Sequence, residues 1–125
     1  MLFRSLAAYR DKLSRALLDR FDLLVTVPRP RARDLERAAG ETSDAVRGRV
    51  EAAHARARAG PLHRSKEASE LLSRAVERLP LSGRGRARVA RVARTAALLA
   101  GADEVGAEHV AEALSFRSPT ELGPR

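Results

Sequence analysis

Arginine carries whatever chemistry this sequence can do. Arg84, Arg88 and Arg91 follow one another at spacings of four and three, which on a helix sets them on one narrow stripe. Arg20 stands beside Asp19 and Asp22. Its plain reading is a surface arginine in a local ion-pair cluster, worth under about 1 kcal/mol. A planar, permanently charged guanidinium suits the oxygens of a phosphate or carboxylate. Other routes to catalysis are closed. The absence of cysteine removes disulfides, thiolate zinc sites and cysteine nucleophiles together. His54, His63 and His109 show no ligand spacing, so each is expected at the surface and no metal site is expected. No GxxxxGK followed by Ser or Thr occurs, and Gly83-Arg84-Gly85 lacks the lysine and hydroxyl that complete a phosphate loop. No apolar strand ends in paired acids that could hold Mg²⁺, and nothing resembles a nucleophile elbow or a triad. Alone, the chain is expected to catalyse nothing and to bind no cofactor.

The elements that must position these arginines are mostly helices. Hydrophobic residues make up 44% of the 125, much of that share is alanine, and aromatics are 3%. Alanine packs well between helices and poorly in thick sheet cores. Residues 6–14 read as a short helix or loop and 15–20 as a turn of helix. Residues 21–27 (FDLLVTV) alternate at period two and suit a strand covered on both faces, which Pro28 and Pro30 end. One strand cannot stand alone, a sign that something upstream is missing. Thr42 or Ser43 caps a helix to about Ala59, with Val46, Val50, Ala53 and Ala57 inward. Ser65 caps another to Leu79, with Leu71, Leu72, Ala75, Val76 and Leu79 inward, and Pro80 stops it. The next runs from Ser82 to Ala100. Val89, Val92, Ala96, Leu99 and Ala100 form its apolar stripe, and Gly101 lies just beyond its end. A last helix covers about 107–116, with Val110, Ala111 and Leu114 inward.

The net charge is +8, from 24 basic and 16 acidic residues, which favours a polyanionic partner. Lys12 and Lys66 are the only lysines, however, and an arginine- and alanine-rich composition is what a GC-rich genome supplies. Many arginines also alternate with glutamates, as a solvated face would. No run approaches the roughly 18 apolar residues of a membrane span, and the N-terminus lacks the apolar core of a signal peptide. A soluble cytoplasmic protein with no membrane partner is expected.

Two segments carry a resemblance. Tyr9-Arg10-x-Lys12-Leu13-Ser14-x-x-Leu17-Leu18-Asp19-Arg20-Phe21-Asp22-Leu23 resembles the YRxKLSGPLLDRIDL stretch of Mg-chelatase-like AAA+ ATPases of the ComM (YifB) type. Arg15-Ala16 replaces the family's Gly-Pro. Leu81-Ser82-x-Arg84, leading into Ala93-Arg94-Thr95-Ala96, resembles LSARAYxRILKVARTIADL of the same family. The close, from Val105-Gly106-x-Glu108-His109 to Phe116-Arg117, is similar to its terminal IGxEHLAEALxYR. The likeness covers residues 9–117. Between Ala59 and Lys66 the family has a longer segment with an Asn-Ala pair, cut short here.

The resemblance implies roles. Arg20 would be an arginine finger reaching the ATP of the next subunit, where such a residue is worth roughly a thousandfold or more in rate. Asp19 would orient it or pair across the boundary. Arg84 would be the sensor-2 residue at the phosphates of its own subunit's ATP, reinforced by the free N–H groups of a helix start. Arg88 and Arg91 read as a solvated face.

The expected fold is mainly α: a helical AAA+ lid, as in the Mg-chelatase C-terminal domain, preceded by a remnant strand of an α/β AAA+ core. Residues 1–5 read as a non-native leader and 6–30 as the end of the core with the finger motif and last strand. Residues 31–60 form a linker and connecting helix, 61–117 the lid and 118–125 a tail. The whole protein is expected to bind ATP and Mg²⁺, to form a homo-oligomeric ring of hexameric type and to work on DNA, as in branch migration. The rival is a standalone arginine-rich helical module that binds nucleic acid by charge.

Overall fold

The computed structural model describes residues 15–18 and 20–117. The expected leader, residues 6–14, Asp19 and the tail 118–125 lie outside the described residues. Among the described residues six helices follow in order: α1 (Arg15–Leu18), α2 (Ala32–Leu35), α3 (Ser43–Ala59), α4 (Lys66–Arg78), α5 (Gly83–Leu99) and α6 (Ala107–Ser115). The mainly helical lid is therefore the observed fold.

Hydroxyl side chains start the three long helices. Thr42 Oγ1 accepts from the Ala45 N–H (3.2 Å), Ser65 Oγ from Ala68 (3.0 Å) and Ser82 Oγ from Gly85 (3.0 Å). Each bond satisfies one of the N–H groups that a helix start leaves without a partner. The end of α5 is closed differently. Gly101 takes φ +70°, its N–H bonds to Leu98 O (3.2 Å), and the Ala102 N–H reaches Ala97 O (3.0 Å). This left-handed cap turns the chain sharply toward α6, and glycine takes that φ without a Cβ penalty.

The core is small and rich in alanine. Ala68 and Leu72 of α4, Val89, Ala93 and Ala97 of α5, Val110 and Ala113 of α6, and Val105 before α6 are fully or almost fully buried. Small residues on facing helices let the backbones approach closely. Helix α6 packs on both α5 and α4, and α3 packs on α5. The α3–α4 connection is pinned rather than loose. The Ser65 N–H donates to Val105 O (2.9 Å) and the Val105 N–H to His63 O (2.8 Å), a parallel bridge between Arg64 and Val105.

Several expectations are corrected. Residues 21–27 do not form a strand. Their alternation is real, but a strand needs a neighbour with free ladder groups, and among the described residues there is none. On α5 the buried line runs through Gly85, Val89, Ala93 and Ala97, not through Val92 and Ala96, which are half-buried, while Leu99 and Ala100 are exposed. Apolar residues at 92, 93, 96 and 97 give two adjacent stripes, and packing against α6 selects between them. Val46 and Val50 of α3 are each 39% exposed, because this helix meets α5 only through its C-terminal half. Val76 and Ala111 are also exposed; the buried residues of α6 are His109, Val110 and Ala113, and Leu114, as expected, packs against the core.

Candidate functional site

Arg20 sits in the turn that leaves α1. Its N–H donates to Leu17 O (3.0 Å) and that of Phe21 to Leu18 O (3.1 Å). Its side chain is exposed. The residues just after it are fastened to the lid at three points. Arg117 Nη1 donates to Phe21 O (3.0 Å), Arg88 Nη1 pairs with Asp22 Oδ1 (2.5 Å), and the Leu24 N–H donates to Phe116 O (2.9 Å). Arg117 is 3% exposed, a burial that a guanidinium tolerates only with partners.

Arg84 is the second residue of α5, exposed, in the turn that Ser82 caps. The first turn of α5 has no acidic residue. In place of the acids that usually offset the positive end of a helix, it carries Arg84 and Arg86. Like charge at a helix start is unfavourable by roughly 0.3–1 kcal/mol per residue. Such a local conflict fits a place where an anion binds. One turn further on, Arg88 lies on the same stripe as Arg84 and reaches Asp22 across 66 residues of sequence. The segment bearing Arg20 and the helix opened by Arg84 thus meet at one seam.

The expectation of a solvated Arg88 is corrected, since its side chain is 26% exposed and ion-paired. Arg91 is exposed, as expected. The local Arg20 cluster is also redrawn, because Asp22 pairs with Arg88 of the lid. Asp19 lies outside the described residues. His54 and His63 are exposed, but His109 is buried, and its Nδ1 accepts the Gly106 N–H (2.9 Å). It thereby caps the start of α6, the work a Glu or Gln does at the third helical position in a capping box. Among the described residues no group of His, Cys, Asp or Glu could hold a metal ion, and no helix is long and apolar enough to cross a membrane.

Sequence reasoning missed the anchoring by Arg117 and Asp22. Arg117 ends the closing family-like pattern, so a signal for it existed. The Asp22–Arg88 pair left none, because nothing in local spacing links residues so far apart.

A lid of four packed helices with an arginine-led first turn is the class that fold and site define, and comparison with known proteins agrees. Residues 40–117 match the family described as magnesium chelatase, subunit ChlI C-terminal, and the chain belongs to it. It is similar to an uncharacterized protein of Mycobacterium bovis, 44% identical over 128 residues, covering 87% of this chain and 25% of that protein. It is also similar to YifB of Salmonella typhimurium (35% identical over 131 residues, 91% and 26% covered). Competence protein ComM of Haemophilus influenzae is 33% identical over 131 residues, with the same coverage, 91% and 26%. The chain thus spans about a quarter of the length of these relatives. No solved structure matches it.

Proposed function

We propose that the chain is the C-terminal part of a ComM/YifB-type AAA+ ATPase, in which Arg20 is the finger for the neighbouring subunit's ATP and Arg84 the sensor for its own. The seam carries this reading: the Asp22–Arg88 pair joins the segment bearing Arg20 to the helix that Arg84 opens. Both arginines are exposed on elements whose backbones are hydrogen-bonded in place, as groups aimed at a separate ligand must be. The phosphate loop and the acids that hold Mg²⁺ would come from the remaining three quarters of a protein of the relatives' length. Asp19 would support Arg20. The protein would act as a cytoplasmic homo-oligomeric ring, hexameric by family likeness, coupling hydrolysis to remodelling of DNA such as branch migration. A charge-driven nucleic-acid module is the weaker reading, because Arg88 and Arg117 are committed within the fold and the chain is similar to part of much longer proteins.

The test is ATP hydrolysis by the intact protein. Arg20→Ala should lower the turnover by about a thousandfold while leaving ATP binding in place. Arg84→Ala should instead weaken ATP binding in the subunit that carries it. Mixing Arg20→Ala subunits with subunits that cannot bind ATP should restore part of the activity, because a finger acts in trans. Loss of ATP binding in Arg20→Ala would contradict the assignment.

A further inference from the structure

We infer that Arg88 is a positioning residue for hydrolysis, acting through Asp22 to hold Arg20 and thereby tying the finger offered to one ATP to the helix that senses another. The inference rests on the roles proposed above for Arg20 and Arg84.

Arg20 needs a holder. Among the described residues no strand lies beside residues 21–27, and the ties that hold the backbone leaving Arg20 come from the lid. The Phe21 carbonyl, one residue after Arg20, takes a hydrogen bond from buried Arg117, and the Leu24 N–H is held by the Phe116 carbonyl. Between these backbone ties lies the side-chain link, Asp22 Oδ1 to Arg88 Nη1 at 2.5 Å. The pair is half-covered, with side chains 42% and 26% exposed, and is less screened by salt than an open surface pair.

Arg88 belongs to the same rigid helix as Arg84, one turn along the same stripe. Sharp bends in a helix arise at a proline, at Gly/Ser pairs, at a bulge or at an inserted group. Helix α5 runs unbroken from Gly83 to Leu99, and Gly85, the glycine between Arg84 and Arg88, is buried against Leu81. Any tilt of α5 that brings Arg84 onto a phosphate therefore moves Arg88, and with it Asp22 and the backbone next to Arg20. Occupancy of one subunit's site is passed to the catalytic group at its neighbour's site through the side-chain link between Arg88 and Asp22. Coupling of this kind has a definite signature: cooperativity between sites that vanishes when the link is cut.

The experiment uses the intact protein with Arg88→Gln, Asp22→Asn, and the reciprocal exchange Asp22→Arg with Arg88→Asp. Each single variant should lower kcat between about 10- and 100-fold, the scale of a misplaced catalytic group. The KM for ATP should change little, because Arg84 is untouched, and cooperativity in ATP should fall. The exchanged pair should recover most of kcat and cooperativity. Arg88→Gln added to Arg20→Ala should cost nothing further, since both act on one group. Wild-type kcat and cooperativity in Arg88→Gln, with Arg20→Ala inactive, overturn the link while leaving the finger intact. Full hydrolysis by Arg20→Ala overturns the finger assignment itself. A loss in Arg88→Gln that comes with a lowered melting temperature and no recovery in the exchanged pair marks a structural role and also overturns the inference.

Discussion

The guanidinium of Arg56, on the last turns of α3, closes the C-terminus of α5 by donating to the carbonyls of Leu98 (3.2 Å) and Ala102. The last carbonyls of a helix have no partner within it and carry its negative pole, so a cation that also donates hydrogen bonds suits the position. Val46 and Val50 bury little, and this contact is the main polar tie between α3 and the rest of the lid. Arg56→Ala should destabilise the chain by about 1–3 kcal/mol, the cost of half-buried acceptors losing a charged donor. Arg56→Lys should recover only part, because one ammonium lacks the fork that spans two carbonyls. Urea unfolding of the three proteins side by side measures this. Equal midpoints would mean that water replaces the guanidinium without loss.

Leu72 and Val76 lie one turn apart on α4, and the sequence places both inward. The structure separates them: Leu72 is fully buried against α5 and α6, whereas Val76 is 36% exposed. Leu72→Ala should cost about 2–5 kcal/mol, at the upper end if the alanine-rich surroundings cannot collapse into the space. Val76→Ala should cost well under half as much. Thermal or urea unfolding gives both values, and a larger loss at Val76 would show that α4 is turned the other way.

Helix positions and starts were legible in the sequence because their causes are local. Thr42, Ser65 and Ser82 announce three helix starts, and Pro80 and Gly101 mark two ends. Which face of a helix is buried was less legible, because α5 is apolar at 92 and 93 and again at 96 and 97. Only the neighbouring helix decides between such stripes. His109 read as a surface residue, since its burial and its cap on Gly106 depend on a backbone turn that no spacing rule describes. The candidate site divides in the same way. Arg20 and Arg84 were found through short motifs, while the Asp22–Arg88 pair that joins their segments spans 66 residues and needed the fold.

Glu41, just before α3, takes both terminal nitrogens of Arg49, at 2.6 and 2.7 Å. The hydrogen bond from Arg49, opposed by desolvation and helped least by the Arg49 charge, holds the Glu41 carboxyl below the ordinary value of 4.5. A carboxyl lowered in the folded state stabilises above its unfolded pKa, and the contribution is lost as pH falls through the folded pKa. Carbon-detected NMR titration should therefore show Glu41 protonating at lower pH than a free glutamate. Arg49→Gln should return it to the ordinary range. The pair is open to solvent, so salt should reduce the shift. A Glu41 midpoint that does not move in Arg49→Gln would remove the pair as its cause.

Residues 21–27 offer a sharp test of how the segment after Arg20 is held. Among the described residues, the Leu24 N–H is bonded to Phe116 O at 2.9 Å, and the amides of Leu23, Val25, Thr26 and Val27 have no hydrogen-bond partner. Val27 is 85% exposed. Hydrogen exchange on this chain should show slower exchange at Leu24, and at Phe21, whose N–H is bonded to Leu18 O, than at Leu23, Val25, Thr26 and Val27, which should exchange near the unprotected rate. Arg117→Met, which releases the Phe21 carbonyl, should speed exchange at Leu24 by loosening the segment. In the intact protein, protection should spread to alternate amides of the same stretch, because the period-two pattern is that of a strand awaiting a sheet. If Leu23, Val25 and Val27 were already protected in the chain alone, the segment would have a partner outside the described residues. Concentration-dependent protection would then identify that partner as a second copy.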